Sequence, residues 1–209
     1  MIENYPAFFL AILILTITPG LDTAMILKNT ARGGYRDGMY TSLGICSGLF
    51  LHATLSVLGI SAILNQSVEL FLMVKMIGAG YLIWLGVSGV FSLFSRKQSV
   101  LVHQVEKSKL SVWQSMRQGF LSNILNPKTA IFYLAFLPQF INYDKSVWLQ
   151  AGIMVGTHFV LAMVWQCTLA RLLASVSHVM KSPGFIRTME GSTAAILLLL
   201  GVRLLLESR

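Results

Sequence analysis

Asp22 and Lys128 are the two charges of this chain that stand where charges are costly. Each lies in sequence apolar enough to span a bilayer, and each follows a proline closely, in Thr18-Pro19-Gly20-Leu21-Asp22 and Asn126-Pro127-Lys128. An ionised side chain near the bilayer centre costs about 2.5–3.5 kcal/mol on insertion scales, so it turns to the protein interior and finds a partner. Asp22 is the only acid read as lying well inside a span. It can carry a proton, oppose a substrate amine, or simply cap its own helix segment. Lys128 is eleven residues past Arg117, roughly 16 Å along a helix at 1.5 Å per residue. That is too deep for easy snorkelling, and the ammonium needs an anion, either Asp22 or a substrate carboxylate. An amino acid carries both charges, so Asp22 and Lys128 could trade a mutual pair for two substrate pairs; a permanent structural pair is the alternative.

What positions these charges is a pair of helix breaks. Proline removes one backbone hydrogen bond and clashes with the turn before it. In hydrocarbon such a break survives only beside protein or a watery cavity. Thr18 and Asn126 are good N-cap residues, and proline is favoured at the first helical position, so a new half-helix is predicted to start at Pro19 and at Pro127. Half-helix N-termini present unpaired N–H groups and partial positive charge, and transporters use them as substrate sites. The predicted binding residues are therefore Thr18, Pro19, Gly20, Asp22, Asn123, Asn126, Pro127 and Lys128, with Asp22 as the proton-coupling group. Asn123 and Asn126, three apart, share a helix face. His52 and His158 each follow a GxxxG in an apolar run. They can relay protons, although a packed, hydrogen-bonded imidazole accounts for them equally simply.

The chain has 209 residues, 55% of them apolar and 11% charged, and its mean hydropathy is +0.70. Soluble domains average about 25% charged residues, so this is an all-α integral membrane protein. Six spans are predicted at 5–27, 39–64, 70–94, 117–141, 147–170 and 186–206. The net charge of +8 does not signal nucleic acid, because the basic residues lie between spans. Lys28, Arg32 and Arg36 fall in the first connection, Arg96, Lys97, Lys107, Lys109 and Arg117 in the third, and Arg171, Lys181 and Arg187 in the fifth. The second connection has none and the fourth has only Lys145. By the positive-inside rule the odd connections are cytoplasmic and both termini face outward. The first twenty residues lack a basic n-region and are read as a mature helix, not a cleaved signal. Cys46 and Cys167 are isolated, with no CxxC, so no redox pair, thiolate metal site or cofactor is expected.

Three spans per half put the halves in opposite orientations. A shift of 108 residues aligns Pro19 with Pro127, Gly44 with Gly152, Ile45 with Ile153 and Gly48 with Gly156. Leu-Gly-Val at 85–87 and 200–202 matches at a different offset. The expected architecture is one domain over 1–209: a three-helix repeat (about 1–94), a cytoplasmic linker (about 95–116) and an inverted repeat (about 117–209), with helices 1 and 4 broken. The glycine pairs allow close helix packing within the bundle first; a homo-oligomer remains open. Trp113 and Trp148 suit membrane interfaces, and Lys75 and Arg203 suit snorkelling at span ends.

Three motifs carry a resemblance. They are Thr18 through Asp22, Gly80-Tyr81-Leu82-Ile83-Trp84-Leu85-Gly86, and Asn123 through Lys128 followed by Phe136-Leu137-Pro138-Gln139-Phe140. Together they resemble the LysE/RhtB family of amino-acid exporters. Where that family often has a second proline in the first motif, this chain has Leu21. The resemblance implies six spans in the inner membrane of a bacterium and export of an amino acid or close derivative. Homoserine, its lactone, threonine, and branched-chain or basic amino acids are all within its range, with proton antiport as the driving force. Against a metal-cation or inorganic-anion exporter stands the single inward carboxylate. Against a membrane enzyme using Asp22 and His52 stands the lack of a nucleophile motif, metal-ligand set or cofactor loop. A non-transporting scaffold would leave paired intramembrane breaks without purpose.

Overall fold

The breaks dominate the architecture. In a computed structural model, residues 2–64, 68–94 and 110–175 are described, with scattered positions from 184 to 206, all of them helical. Helix α1 (Tyr5–Ile17) ends at the first break, and α2 (Leu21–Gly33) leaves it bent by 47°. Two long helices follow, α3 (Tyr35–Leu64) and α4 (Val68–Phe94). The second broken segment consists of α5 (Val112–Ile124), α6 (Pro127–Ile131), a π turn (Phe132–Phe136) and a 3-10 turn (Leu137–Phe140). Helix α7 (Val147–Ser175) follows, ahead of the scattered helical positions from 184 onward. Among the described residues, α3 and α7 are each long and apolar enough to cross a membrane, and the bent pair α1–α2 makes a third candidate. Lys75 and Arg203, assigned to span ends by sequence, lie outside the described side chains or residues, as do Lys107 and Lys109 of the linker.

The first break differs from expectation. Thr18 does not N-cap a helix starting at Pro19. It ends α1, its N–H donating to Ile14 O, and its φ −62°, ψ 114° is the extended shape forced on a residue before proline. The new helix starts two residues later: Gly20 is its N-cap, and no side chain caps it. At the second break the expectation holds. Asn126 Oδ1 accepts the Lys128 N–H and Pro127 takes the first helical position. The segment's start also moves. Ser111 and Gln114 form a reciprocal capping box, so α5 begins at Val112, inside what was read as linker.

Glycines set how closely the helices approach. A Cβ on Gly44 would run into the Met116 backbone, and one on Gly119 into the Thr41 backbone, so α3 and α5 cross in backbone contact. Close backbone approach of this kind holds helices together where the solvent is as apolar as the side chains. Gly86 of α4 and Gly201 make a reciprocal contact. A Cβ on Gly86 would lie 2.6 Å from Leu198 Cγ and 2.8 Å from Ala194 O; one on Gly201 would lie 2.6 Å from Ile83 Cγ1 and 3.0 Å from Ala79 O. By contrast Gly152 and Gly156 of α7 face open space.

The core joins α1 to the far end of the second broken segment. Phe8, Ile12 and Leu15 of α1 pack with Leu49 and Ala53 of α3, with Phe132, Phe136 and Phe140, and with Met154 of α7. The π turn is where the second segment adjusts. Pro138 cannot donate to the carbonyl of Leu134, so the α pattern cannot run on. The widened turn, a form common at functional positions, carries Tyr133 fully into the core.

Candidate functional site

The two breaks meet. Asp22, in the first turn of α2, receives three side-chain hydrogen bonds from the second broken segment. Ser122 Oγ donates to Oδ1 at 3.0 Å, and Asn123 Nδ2 and Asn126 Nδ2 donate to Oδ2 at 2.9 and 3.0 Å. Asn123 and Asn126 share a helix face, as their spacing implied, and that face is aimed at the carboxylate. Lys128 comes to the same place from the other side, its Nζ donating to Thr18 O at 2.8 Å and Leu15 O at 3.3 Å.

The two charges do not pair with each other. Neither makes a salt bridge within 4.0 Å to the other, so the mutual pair read from sequence is replaced by two separate solutions. Proline geometry explains this. The break exposes carbonyls at the end of α1, which carry partial negative charge, and these satisfy the ammonium. Neutral amide and hydroxyl groups satisfy the carboxylate.

Around these groups lies a cavity of about 30 Å³, lined by polar side chains including Thr18, Asp22, Asn123, Lys128, His158 and Gln166. It is large enough for water and too small for an amino acid. Two buried atoms on its lining, Thr18 Oγ1 and Asn123 Oδ1, have no hydrogen-bond partner among the described residues. Unpartnered buried polar atoms are rare and call for a ligand, water or a second conformation. A larger hollow, about 660 Å³, opens between α1 and α7, but its walls are apolar and none of the charged groups reaches it. Pro127 and Gly20 are exposed at the rims of the breaks.

The histidines are buried and placed on either side of Tyr133. His52 Nε2 lies 3.0 Å from Asn123 O, and His158 Nδ1 lies 3.0 Å from the Tyr133 hydroxyl. Both imidazoles stack on the Tyr133 ring, with centroids 5.9 and 5.8 Å away. Ser56 Oγ donates to Tyr133 O at 2.6 Å. Tyr133, Ser122 and Gln166 escaped the sequence reading. For Tyr133 a signal existed: a phenol hydroxyl within a span needs a partner. Ser122 and Gln166 carry no such mark in one sequence. Among the described residues no group of three or more His, Cys, Asp or Glu side chains is placed to hold a metal ion.

A membrane bundle with two broken helices meeting at a buried polar cavity is the architecture of a translocator of small solutes. The comparison with known proteins gives it a family: the chain matches the LysE type translocators over residues 13–208 and belongs to that family. It is 36% identical to the uncharacterized membrane protein YrhP of Bacillus subtilis, over 91% of this chain and 92% of that one. It is 25% identical to the homoserine/homoserine lactone efflux protein of Salmonella typhimurium, over 97% of this chain and 96% of that one. It is 28% identical to the leucine efflux protein of an Enterobacter species, over 68% of this chain and 66% of that one. These named relatives are efflux proteins, not enzymes. No solved structure matches the chain.

Proposed function

We propose that this protein exports an amino acid or a close derivative from the cytoplasm by proton antiport. It would do so as six spans in two inverted repeats within one domain, in the bacterial inner membrane with both termini outside. The observation that carries this reading is the convergence of Asp22, Lys128 and their neutral partners from two broken helices on one buried cavity. A zwitterion needs an anion for its ammonium and donors for its carboxylate. Asp22 supplies the first, and the uncapped N-terminus of α2 supplies the second. Thr18, Gly20, Asn123, Asn126 and Lys128 complete the site, around the two prolines. His52 and His158 flank Tyr133 as candidates for proton relay. The names of the efflux relatives point to homoserine, its lactone or leucine as the first solutes to try.

Two observations support the inverted repeat. Gly86 and Gly201 meet each other's helices at matching offsets: 79, 83 and 86 correspond to 194, 198 and 201 by a constant shift of 115. The two broken segments also supply each other's partners. An alternating-access cycle would then reopen a cavity that is closed in this conformation. The test is counterflow of labelled homoserine, threonine and leucine in proteoliposomes, wild type against Asp22→Asn. Export predicts exchange of at least one of them in wild type and its loss in the variant. Wild-type exchange of none, or full exchange by Asp22→Asn, rejects the assignment.

A further inference from the structure

Pro19 has no N–H, so the carbonyl of Leu15, four residues earlier, loses its helical partner. The carbonyl of Thr18 is stranded too, because α2 starts afresh with Ala24 N–H donating to Gly20 O. The Lys128 ammonium takes both. Gly20 leaves it room, since a Cβ there would lie 3.3 Å from Nζ. Carbonyls freed at the C-terminal end of a half-helix are where transporters seat coupling cations. In this protein the cation in that seat is covalently tethered.

We propose that Lys128 is the coupling-ion site: its protonated side chain competes with the substrate ammonium for the carbonyl seat beside Asp22, and its proton is the ion exchanged. This rests on the amino-acid export reading. The exchange balances without any further reactant. Facing the cytoplasm, the ammonium passes a proton to water and becomes a neutral amine, and the substrate ammonium takes its place near Asp22, Leu15 O and Thr18 O. Facing outward, the substrate leaves and the amine takes a proton from water. The seat holds one positive charge at a time, so one proton enters for each zwitterion that leaves.

Asp22 is held beside that seat by partners of its own: its Oδ2 accepts from Asn123 Nδ2 and Asn126 Nδ2, and its Oδ1 accepts from the Ser122 hydroxyl. The other titratable groups on the cavity with Lys128 are Asp22 of α2 and His158 of α7. From α1 it meets backbone carbonyls; Lys75 of α4 lies outside the described side chains.

The test measures the substrate KM for counterflow at a series of pH values, held equal on both sides of the membrane. In wild type, KM falls as pH rises, by up to about tenfold per pH unit for competition with one proton. Lys128→Gln gives a KM that is low and independent of pH. Lys128→Arg keeps a permanent cation in the seat and gives a KM that is high and independent of pH. A Lys128→Gln protein that retains the wild-type slope overturns the proposal. So does one whose KM is raised at every pH, because Lys128 would then be the partner of the substrate carboxylate. A second readout needs no substrate: the midpoint of thermal unfolding shifts with pH in wild type, and both variants lack that component. A wild-type protein with the stability component but no amino-acid counterflow keeps Lys128 as the titrating cation and defeats the export reading. Absence of a Lys128-dependent component from both readouts overturns the proposal.

Discussion

Replacing Asn126 by alanine should damage the protein more than replacing either of the other two donors to Asp22, and the size of the difference follows from the geometry. Asn126 does two things at once. Its Oδ1 caps α6 by accepting the Lys128 N–H at 3.1 Å, and its Nδ2 donates to Asp22 at 3.0 Å. An N-cap is worth about 1 kcal/mol, and a hydrogen bond to a charged group about 1.5–3 kcal/mol. Asn126→Ala should therefore cost about 2.5–4 kcal/mol, and Ser122→Ala and Asn123→Ala, which remove one donor each, about 1.5–3 kcal/mol. Asn126→Ser keeps a capping oxygen and should recover about 1 kcal/mol of the loss. The assay is thermal unfolding in detergent, in a Cys167→Ser background, followed by the reaction of a thiol dye with Cys46, which is fully buried in the folded bundle. If Asn126→Ala is no less stable than Ser122→Ala, or Asn126→Ser recovers nothing, then the two bonds do not hold the break together as argued.

Three further outcomes are expected. Gly201→Leu should destabilise the bundle by about 1–3 kcal/mol through overpacking against Ala79 and Ile83, whereas Gly152→Ala, facing open space, should be neutral or stabilising by up to about 1 kcal/mol; the same unfolding assay ranks them. Tyr133→Phe removes the hydroxyl partner of a buried imidazole and should cost about 1–3 kcal/mol, with its unfolding midpoint lower than that of wild type. Single cysteines at Arg36 and Lys145, in a background lacking Cys46 and Cys167, should be labelled from opposite sides of the membrane, Arg36 from the cytoplasm; labelling of both from one side contradicts the positive-inside assignment.

Much of the architecture was legible because the bilayer makes the rules strict. An apolar run that must bond its own backbone is a helix, and a proline within it must be a break. The second break could be placed to the residue because Asn126 and Pro127 form a local cap whose geometry depends on nothing distant. The first could not. Thr18-Pro19 has the same local look, yet the chain delays the new helix to Leu21, and Thr18 Oγ1 is left without a partner. That outcome depends on what fills the gap, a lysine 110 residues away in sequence. Tyr133 and Ser122 were missed for a related reason. The π turn that aims Tyr133 inward answers to Pro138 and to packing, and no period in the sequence announces it.

The same rule accounts for both breaks and shows where the charge-for-charge reading failed. A proline at position i orphans the carbonyl at i−4. Pro19 orphans Leu15 O, and Lys128 answers it. Pro127 orphans Asn123 O, which accepts the Asn126 N–H at 2.9 Å and lies 3.0 Å from the His52 ring nitrogen. Each freed acceptor is thus met by a titratable side chain from the other half of the chain. Two opposite charges in apolar sequence invite pairing with each other, but a backbone carbonyl at a half-helix end is also a partner for a cation, and it is already in place once the proline is. The carboxylate is then left to neutral donors, which hold it without neutralising its charge. Asp22 therefore has no cation of the protein's own bonded to it among the described residues, while the Lys128 ammonium is held on the carbonyls of the break. Had Asp22 and Lys128 closed on each other, a zwitterion would have had to displace a buried ion pair, which is costly to break. Kept apart by the break, they leave both charges on one cavity, the arrangement that the proposed exchange of one cation for another requires.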